Sequence, residues 1–225
     1  MKFDYLGRAW AENKSLLVFI SLMFVFRSAI ADWNEVPTGS MKPTIIEGDR
    51  ILVNKMAYDL RVPFTHVSLY KRADPERGDI IVFDSEAAGK RLVKRVVGMP
   101  GDSVAMRNNT LLINDVPVAS KLSAMRGASD GSLADERAEL MENLLGVEHR
   151  IWIKTEGSVL SSFAPTIVPP GFYLALGDNR DNSADSRVIG LVPRTEIVGR
   201  TRSLVISLNY DNYYLPRASR YLQVL

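Results

Sequence analysis

The alternation of hydrophobic and polar residues along this chain breaks most sharply near its start. Leu16–Phe26 (LLVFISLMFVF) is an almost unbroken apolar run, and Ser28–Trp33 (SAIADW) extends it past Arg27. Counted from Ser15 to Ala31 the stretch is seventeen residues, at the short edge of the roughly 17–25 that a transmembrane helix needs. Arg27 lies near its end, where a long cationic side chain reaches back to the interface. Lys2, Arg8 and Lys14 precede the run, so the positive-inside rule leaves the N-terminus in the cytoplasm and sends everything after residue 33 outward. This predicts a cytoplasmic N-terminus at 1–14, a transmembrane anchor at 15–33 and an extracytoplasmic domain at 34–225. A cleaved secretory signal is the rival reading, because Ala29-Ile30-Ala31 has the small-x-small form of a cleavage site. Arg27 at the end of the apolar run counts against cleavage.

Beyond the anchor the pattern turns to short β-branched runs bounded by turn residues, which predict strands at Ile51–Lys55, Asp79–Phe83 and Arg91–Gly98. Thr110–Ile113 and Val116–Val118 flank Asn114-Asp115 and read as a hairpin. Ser120–Gly131 is polar and small, like a linker. Leu133–Leu145 (LADERAELMENLL) reads as a helix, with Asp130 or Ser132 as its cap, Gly146 as its stop and Leu133, Leu140, Met141 and Leu144 on one stripe. Strands resume at Arg150–Lys154, Phe172–Leu176 and around Arg202–Leu208. The expected fold is mainly β, with an insertion at about 120–160 that carries one helix.

Composition narrows the chemistry. The 225 residues, 46% hydrophobic, are enough for one sizeable domain and an accessory element. There is no cysteine, which removes disulfides, thiolate nucleophiles and zinc-thiolate sites. A net charge of +2, without a Lys/Arg-rich block, does not argue for nucleic acid. The two histidines, His66 and His149, have no motif context.

Three polar segments exceed what a β domain needs to fold: Pro37–Thr44 (PTGSMKPT), Lys94–Asp102 (KRVVGMPGD) and Gly177–Arg187 (GDNRDNSADSR). Each alone has a bland explanation as a turn, an edge strand or a salt-bridged loop. A calcium loop through Asp181, Ser183 and Asp185 fails, because positions six and twelve are Ser186 and Val192 rather than Gly and Glu, so no metal site is expected. Lys154-Thr155-Glu156-Gly157 breaks the K-T-G motif of penicillin-binding proteins, and no G-x-S-x-G elbow exists.

Together with the apolar anchor and Arg77–Ile80 (RGDI), these segments resemble, in order, the boxes of the bacterial type I signal peptidase (leader peptidase) family, from about Leu16 to Val192. The resemblance implies an antiparallel β catalytic domain with an inserted subdomain, preceded by a single transmembrane helix. It implies Ser40 as nucleophile, Lys94 as general base and Ser183 as the hydroxyl that orients the lysine. The oxyanion hole would be the Ser40 backbone N–H and the hydroxyl of Thr38, a position often Ser in the family. Asp185 and Arg187 would be paired supporting charges, joined by Arg95. Val36, Met41, Ile45 and Val93 would wall the substrate pocket. No cofactor is implied.

A Ser–Lys pair is chemically sufficient only if the lysine is neutral when it acts. At a reference pKa of about 10.4, about 0.04% is free base at pH 7; lowering it to about 8 gives roughly 10%, at a cost on the order of 3 kcal/mol. Period-two alternation puts Leu92 and Val96 on the face of Lys94, and Arg95 on the other, where it can meet Asp185.

About seven residues separate Trp33 from Ser40, so the nucleophile works close to the bilayer. The resemblance implies removal of signal peptides from exported preproteins at the outer face of the bacterial inner membrane, after small residues at −1 and −3 (Ala-x-Ala). Rival functions are a dedicated pilus or conjugation peptidase of the same clan and a non-catalytic membrane-anchored scaffold, which the intact Ser40, Lys94 and Ser183 disfavour. An autoprocessing repressor is disfavoured by the lack of a DNA-binding helical domain.

Overall fold

A computed structural model describes residues 2–65, 67–126 and 136–225, with side chains described at 13–65, 67–125 and 136–225. His66, much of the expected linker and the start of the expected helix lie outside the described residues. Helix α1 spans Lys2–Ala29. Its apolar side chains stand off the body of the protein, with Phe19 64% and Leu22 63% exposed. Its last carbonyls, of Arg27 and Ser28, accept from Lys55 Nζ at 2.7 and 3.2 Å. That places a cation where unpaired carbonyls and the helix dipole favour one. Arg27 turns back to Asp32 at 2.7 Å and lies 4.3 Å from the Trp33 ring centroid. Among the described residues, no helix is long and apolar enough to cross a membrane.

The body is antiparallel β. Strands β1 (Ala31–Glu35), β2 (Asp49–Asn54), β3 (Asp59–Arg61) and β4 (Ser68–Lys71) lead to the central pair β5 (Ile80–Ser85) and β6 (Lys90–Gly98). Next come β7 (Ser103–Arg107), β8 (Thr110–Ile113), β9 (Val116–Pro117), β10 (Ala119–Arg126), β11 (Arg137–Leu144) and β12 (Val147–Lys154). Then follow β13 (Phe163–Ile167), β14 (Phe172–Leu176), a short helix α2 (Ser186–Ile189), β15 (Val192–Pro193), β16 (Ile197–Asn209) and β17 (Leu215–Pro216). The main sheet runs β1-β2-β16-β5-β6-β14-β15, with β17 on β16.

Strand β5 shows why this sheet lacks simple alternation. Ile80 and Val82 enter one core, with Val36, Met41, Ile45 and Ile51. Ile81 and Phe83 enter another, with Tyr58, Val96 and Tyr173. Both faces are covered, so successive residues are all apolar. A third core lies under the sheet β13-β7-β8-β9 and takes Leu144 from β11. The hairpin between β8 and β9 turns at Asn114 and Asp115, both with positive φ, as their short polar side chains allow.

The insertion departs from expectation. Residues 137–144 form β11, the middle strand of the sheet β10-β11-β12, and residues 119–126, of which 120–126 were expected as linker, form β10. Ala, Glu, Leu and Met favour helix, yet that preference is worth only tenths of a kcal/mol per residue, and pairing on both edges outweighs it. Ala138, Glu142 and Leu144 are buried, on the alternation of a strand. Gly146, expected to end a helix, instead closes the β11–β12 hairpin with Leu145, at φ 106° and 52°.

Glu142 faces inward and pairs with the Arg180 guanidinium, each 1% exposed. Removing one partner of such a pair leaves a buried charge uncompensated. Glu142→Ala is therefore expected to lower stability by about 3–5 kcal/mol in detergent-solubilised denaturant melts. Glu148→Ala, on the exposed part of β12, should change it by less than about 0.5 kcal/mol.

Candidate active site

Thr38 is extended (φ −131°, ψ 151°) and leads into a single 3₁₀ turn, Gly39–Met41, with Ser40 at its centre and Met41 buried in the core beneath. The turn is held from across the site. Asn179 N–H donates to Ser40 O at 3.0 Å, and Asn179 Nδ2 donates to Gly39 O at 3.0 Å. The packing leaves no room at Gly177, where a Cβ would lie 2.2 Å from Ser183 Oγ and 2.4 Å from Ser40 O. Only glycine fits there.

Lys94 projects from β6 and is 2% exposed. Its Nζ lies 2.8 Å from Ser40 Oγ and 2.9 Å from Val93 O. Burial lowers its pKa from 10.5 to about 8, against the pull of Asp185 and Asp178. Those two carboxylates would keep the lysine charged if they were free. Neither is. Asp178 accepts from Arg95 Nε and Nη2 at 2.9 and 2.8 Å. Asp185 accepts from Arg187 Nε and Nη2 at 2.8 and 2.7 Å and from Gly177 N–H at 2.9 Å. Burial disfavours ionised Asp178, but the Arg95 guanidinium outweighs it and holds the carboxyl low.

Some expected roles meet different geometry. Arg95 pairs with Asp178, not with Asp185 as its strand face suggested; Asp178 also accepts from Thr44 Oγ1. A planar fork needs a carboxylate in line with β6, and Asp185 is already occupied by Arg187. Ser183 Oγ is buried and makes no hydrogen bond, so it does not contact Lys94 Nζ within bonding distance. It packs instead against Gly177.

A cleft of about 430 Å³ opens over Ser40 and Lys94, and Val36, Thr38, Met41 and Val93 line it. Ile45 does not; it is fully buried among Ile51, Val53 and Leu204. Leu92, Asn182 and Ala184 line the cleft as well. A larger hollow of about 560 Å³ lies beyond Arg95 but touches neither Ser40 nor Lys94. His149 borders it, buried between Glu142 (3.3 Å) and Asp178 (4.0 Å). Asn179 and Asp178 were visible within the third polar segment but carried no assigned role. Glu142 left no signal, because on a helix it would have faced water.

The family described as signal peptidase, peptidase S26, matches residues 9–206. The chain is 38% identical over 222 residues to signal peptidase I of Pseudomonas fluorescens, covering 92% of this chain and 76% of that protein. It is 35% identical over 208 residues to signal peptidase I of Pseudomonas aeruginosa (87% and 72% covered). It is 31% identical over 194 residues to signal peptidase I of Bacillus amyloliquefaciens (86% and 83%).

The lowered lysine pKa sets a pH dependence of stability. Folded Lys94 titrates near 8 and an ordinary lysine near 10.5, so between these values the unfolded chain binds more protons and stability rises with pH. Below pH 8 the full burial cost is present. Lys94→Met is therefore expected to be inactive yet more stable than wild type at pH 7. The gap should narrow as pH rises from 8 to 10.5, as denaturant midpoints at pH 7, 9 and 10.5 would show.

Proposed function

The chain belongs to the signal peptidase family, peptidase S26, and is a serine peptidase that removes signal peptides from preproteins; within that activity we propose that Ser40 is the nucleophile and Lys94 its general base. The observation that carries the reading is the 2.8 Å contact between Lys94 Nζ and Ser40 Oγ, on a lysine whose burial lowers its pKa to about 8. Neutral Lys94 takes the Ser40 proton as Oγ attacks the scissile carbonyl carbon. The resulting oxyanion is held by the Ser40 N–H and the Thr38 hydroxyl. Collapse of the intermediate breaks the C–N bond, the Lys94 ammonium protonates the departing amine, and an acyl-enzyme on Ser40 remains. A water that Lys94 then deprotonates releases the signal peptide's new carboxylate. The lysine-orienting role of Ser183 rests on the family resemblance, since its buried Oγ makes no hydrogen bond. Asp185, Arg187 and Arg95 keep neighbouring charges paired, so that Lys94 discharges near neutral pH.

Small residues at −1 and −3 fit a cleft walled by Val36, Met41 and Val93, which excludes large side chains by sterics. Helix α1 presents exposed apolar residues from Leu16 to Phe26, with Arg27 and Trp33 stacked where it meets the body. This supports a single-pass anchor in a bacterial inner membrane whose helical part ends at Ala29, because Ala31, Asp32 and Trp33, expected within the anchor at 15–33, pair with β2 in the main sheet. It leaves a cytoplasmic segment at 1–14 and the catalytic domain on the outer face. The cleft would then meet preproteins where their signal helices leave the bilayer.

Ser40→Ala and Lys94→Ala are each expected to abolish processing of a preprotein in detergent while the fold is kept. Wild type should accept Ala, Gly or Ser at −1 and lose at least about a hundredfold in kcat/KM with Leu or Phe there, a factor of about 2.7 kcal/mol. Turnover by either variant would end the dyad mechanism; equal rates with Leu would end the steric account of specificity. For the anchor, a chain lacking residues 1–29 should cease to co-float with phospholipid vesicles while still cleaving a soluble peptide. Continued co-flotation would place the membrane contact elsewhere.

A further inference from the structure

The oxyanion donor assigned above is a backbone N–H, and its direction is set by whatever holds its peptide plane. The Gly39–Ser40 peptide is trans and planar, so its carbonyl and its N–H point opposite ways. Gly39 O accepts from Lys42 N–H at 3.1 Å and from Asn179 Nδ2 at 3.0 Å. The next peptide plane, Ser40–Met41, is held by Asn179 N–H on Ser40 O at 3.0 Å. A single residue thus holds both peptide planes that flank the nucleophile. A donor on the Gly39 carbonyl also polarises the amide, and this strengthens the N–H on its far side.

Asn179 is 3% exposed and is itself fixed from the insert sheet. Trp152 of β12 donates its N–H to Asp178 O and accepts from Arg180 N–H, both at 2.9 Å, a parallel bridge centred on Asn179. The Arg180 guanidinium lies in the Glu142 carboxylate of β11. Asp178 is tied to Arg95 and Thr44. None of these residues lines the cleft; Asp178 acts on Lys94 through its charge, and the backbone of the Ser40 turn is held through Asn179.

We propose that Asn179 is a positioning residue of the oxyanion hole, delivered there by the β10–β12 sheet, which makes the insertion a brace for the catalytic turn. The proposal rests on the reading of the Ser40 N–H as an oxyanion donor. It also accounts for the residue type. Aspartate would set a carboxylate oxygen against Gly39 O, and alanine would leave that carbonyl to Lys42 alone.

The test compares Asn179→Ala and the isosteric Asn179→Asp with wild type in detergent, using a preprotein as substrate and a peptide aldehyde as probe. Ser40 Oγ adds to the aldehyde carbon, its proton passes to Lys94, and the former carbonyl oxygen takes the oxyanion position. Rates are expressed per active site, titrated with an acylating inhibitor. Both variants are expected to lose about tenfold to a hundredfold in kcat, with KM within about threefold. Aldehyde affinity should fall by the same factor, while affinity for the cleaved signal peptide and the pH midpoint near 8 stay put. Wild-type kcat per titrated site, or a fall in kcat with unchanged aldehyde affinity, would overturn the proposal. If Asn179→Ala does not fold, Asn179→Asp carries the same measurements. Failure of the underlying reading shows separately: a Thr38→Val enzyme and a wild type that bind aldehyde and alcohol analogues equally would mean there is no oxyanion hole to position.

Discussion

A lysine nitrogen enclosed by protein, 2.8 Å from a serine hydroxyl, is the constraint around which the rest of this structure is arranged. An ammonium in that position is poorly solvated, and the burial that depresses its pKa also weakens the fold at neutral pH. Two carboxylates, Asp178 and Asp185, lie close enough to oppose the effect. Each is matched with its own arginine in a bidentate contact, so the site holds four further charges and still leaves Lys94 able to release its proton. The polar density of the third segment is electrical screening for one amine.

That screening explains why the segments are far apart in sequence and rigid in space. Arg95 comes from β6, one residue from the lysine it protects, and its strand places the two side chains on opposite faces. Asp178, Asn179 and Arg180 follow β14, which pairs directly with β6. The β6–β14 ladder therefore fixes the distance between Lys94 and this loop, and the insert sheet fixes the loop's orientation.

Much of this was legible from the residues. Strands β2, β5 and β6 follow β-branched runs and β14 an aromatic and apolar one, and the turn at Asn114-Asp115 follows from residues that tolerate positive φ. What was not legible depends on partners distant in sequence. β11 carries helix-forming residues and became a strand because β10 and β12 flank it. Arg95 was expected at Asp185 because face periodicity tells which way a side chain points but not which acceptor is already taken. Ile45 shares the apolar character of Val36 and Met41, yet it lies one layer deeper, and composition does not record depth. Family resemblance singled out Lys94 among the chain's lysines; its neighbours on β6 made that choice chemically plausible without making it unique.

The hydrogen bond from Asn179 to Gly39 spans 140 positions of sequence. Contacts of such long range form late, after local strands and hairpins, because the entropy of closing the intervening loop must be met first. On the ribosome the Ser40 turn emerges well before the residue that holds it, and before the insert sheet that holds that residue. A partly synthesised chain thus carries its serine and lysine with neither the bracing loop nor the arginines of that loop in place. Proteolytic competence becomes a property of the completed fold, so an unfinished chain has no assembled site with which to cut a preprotein.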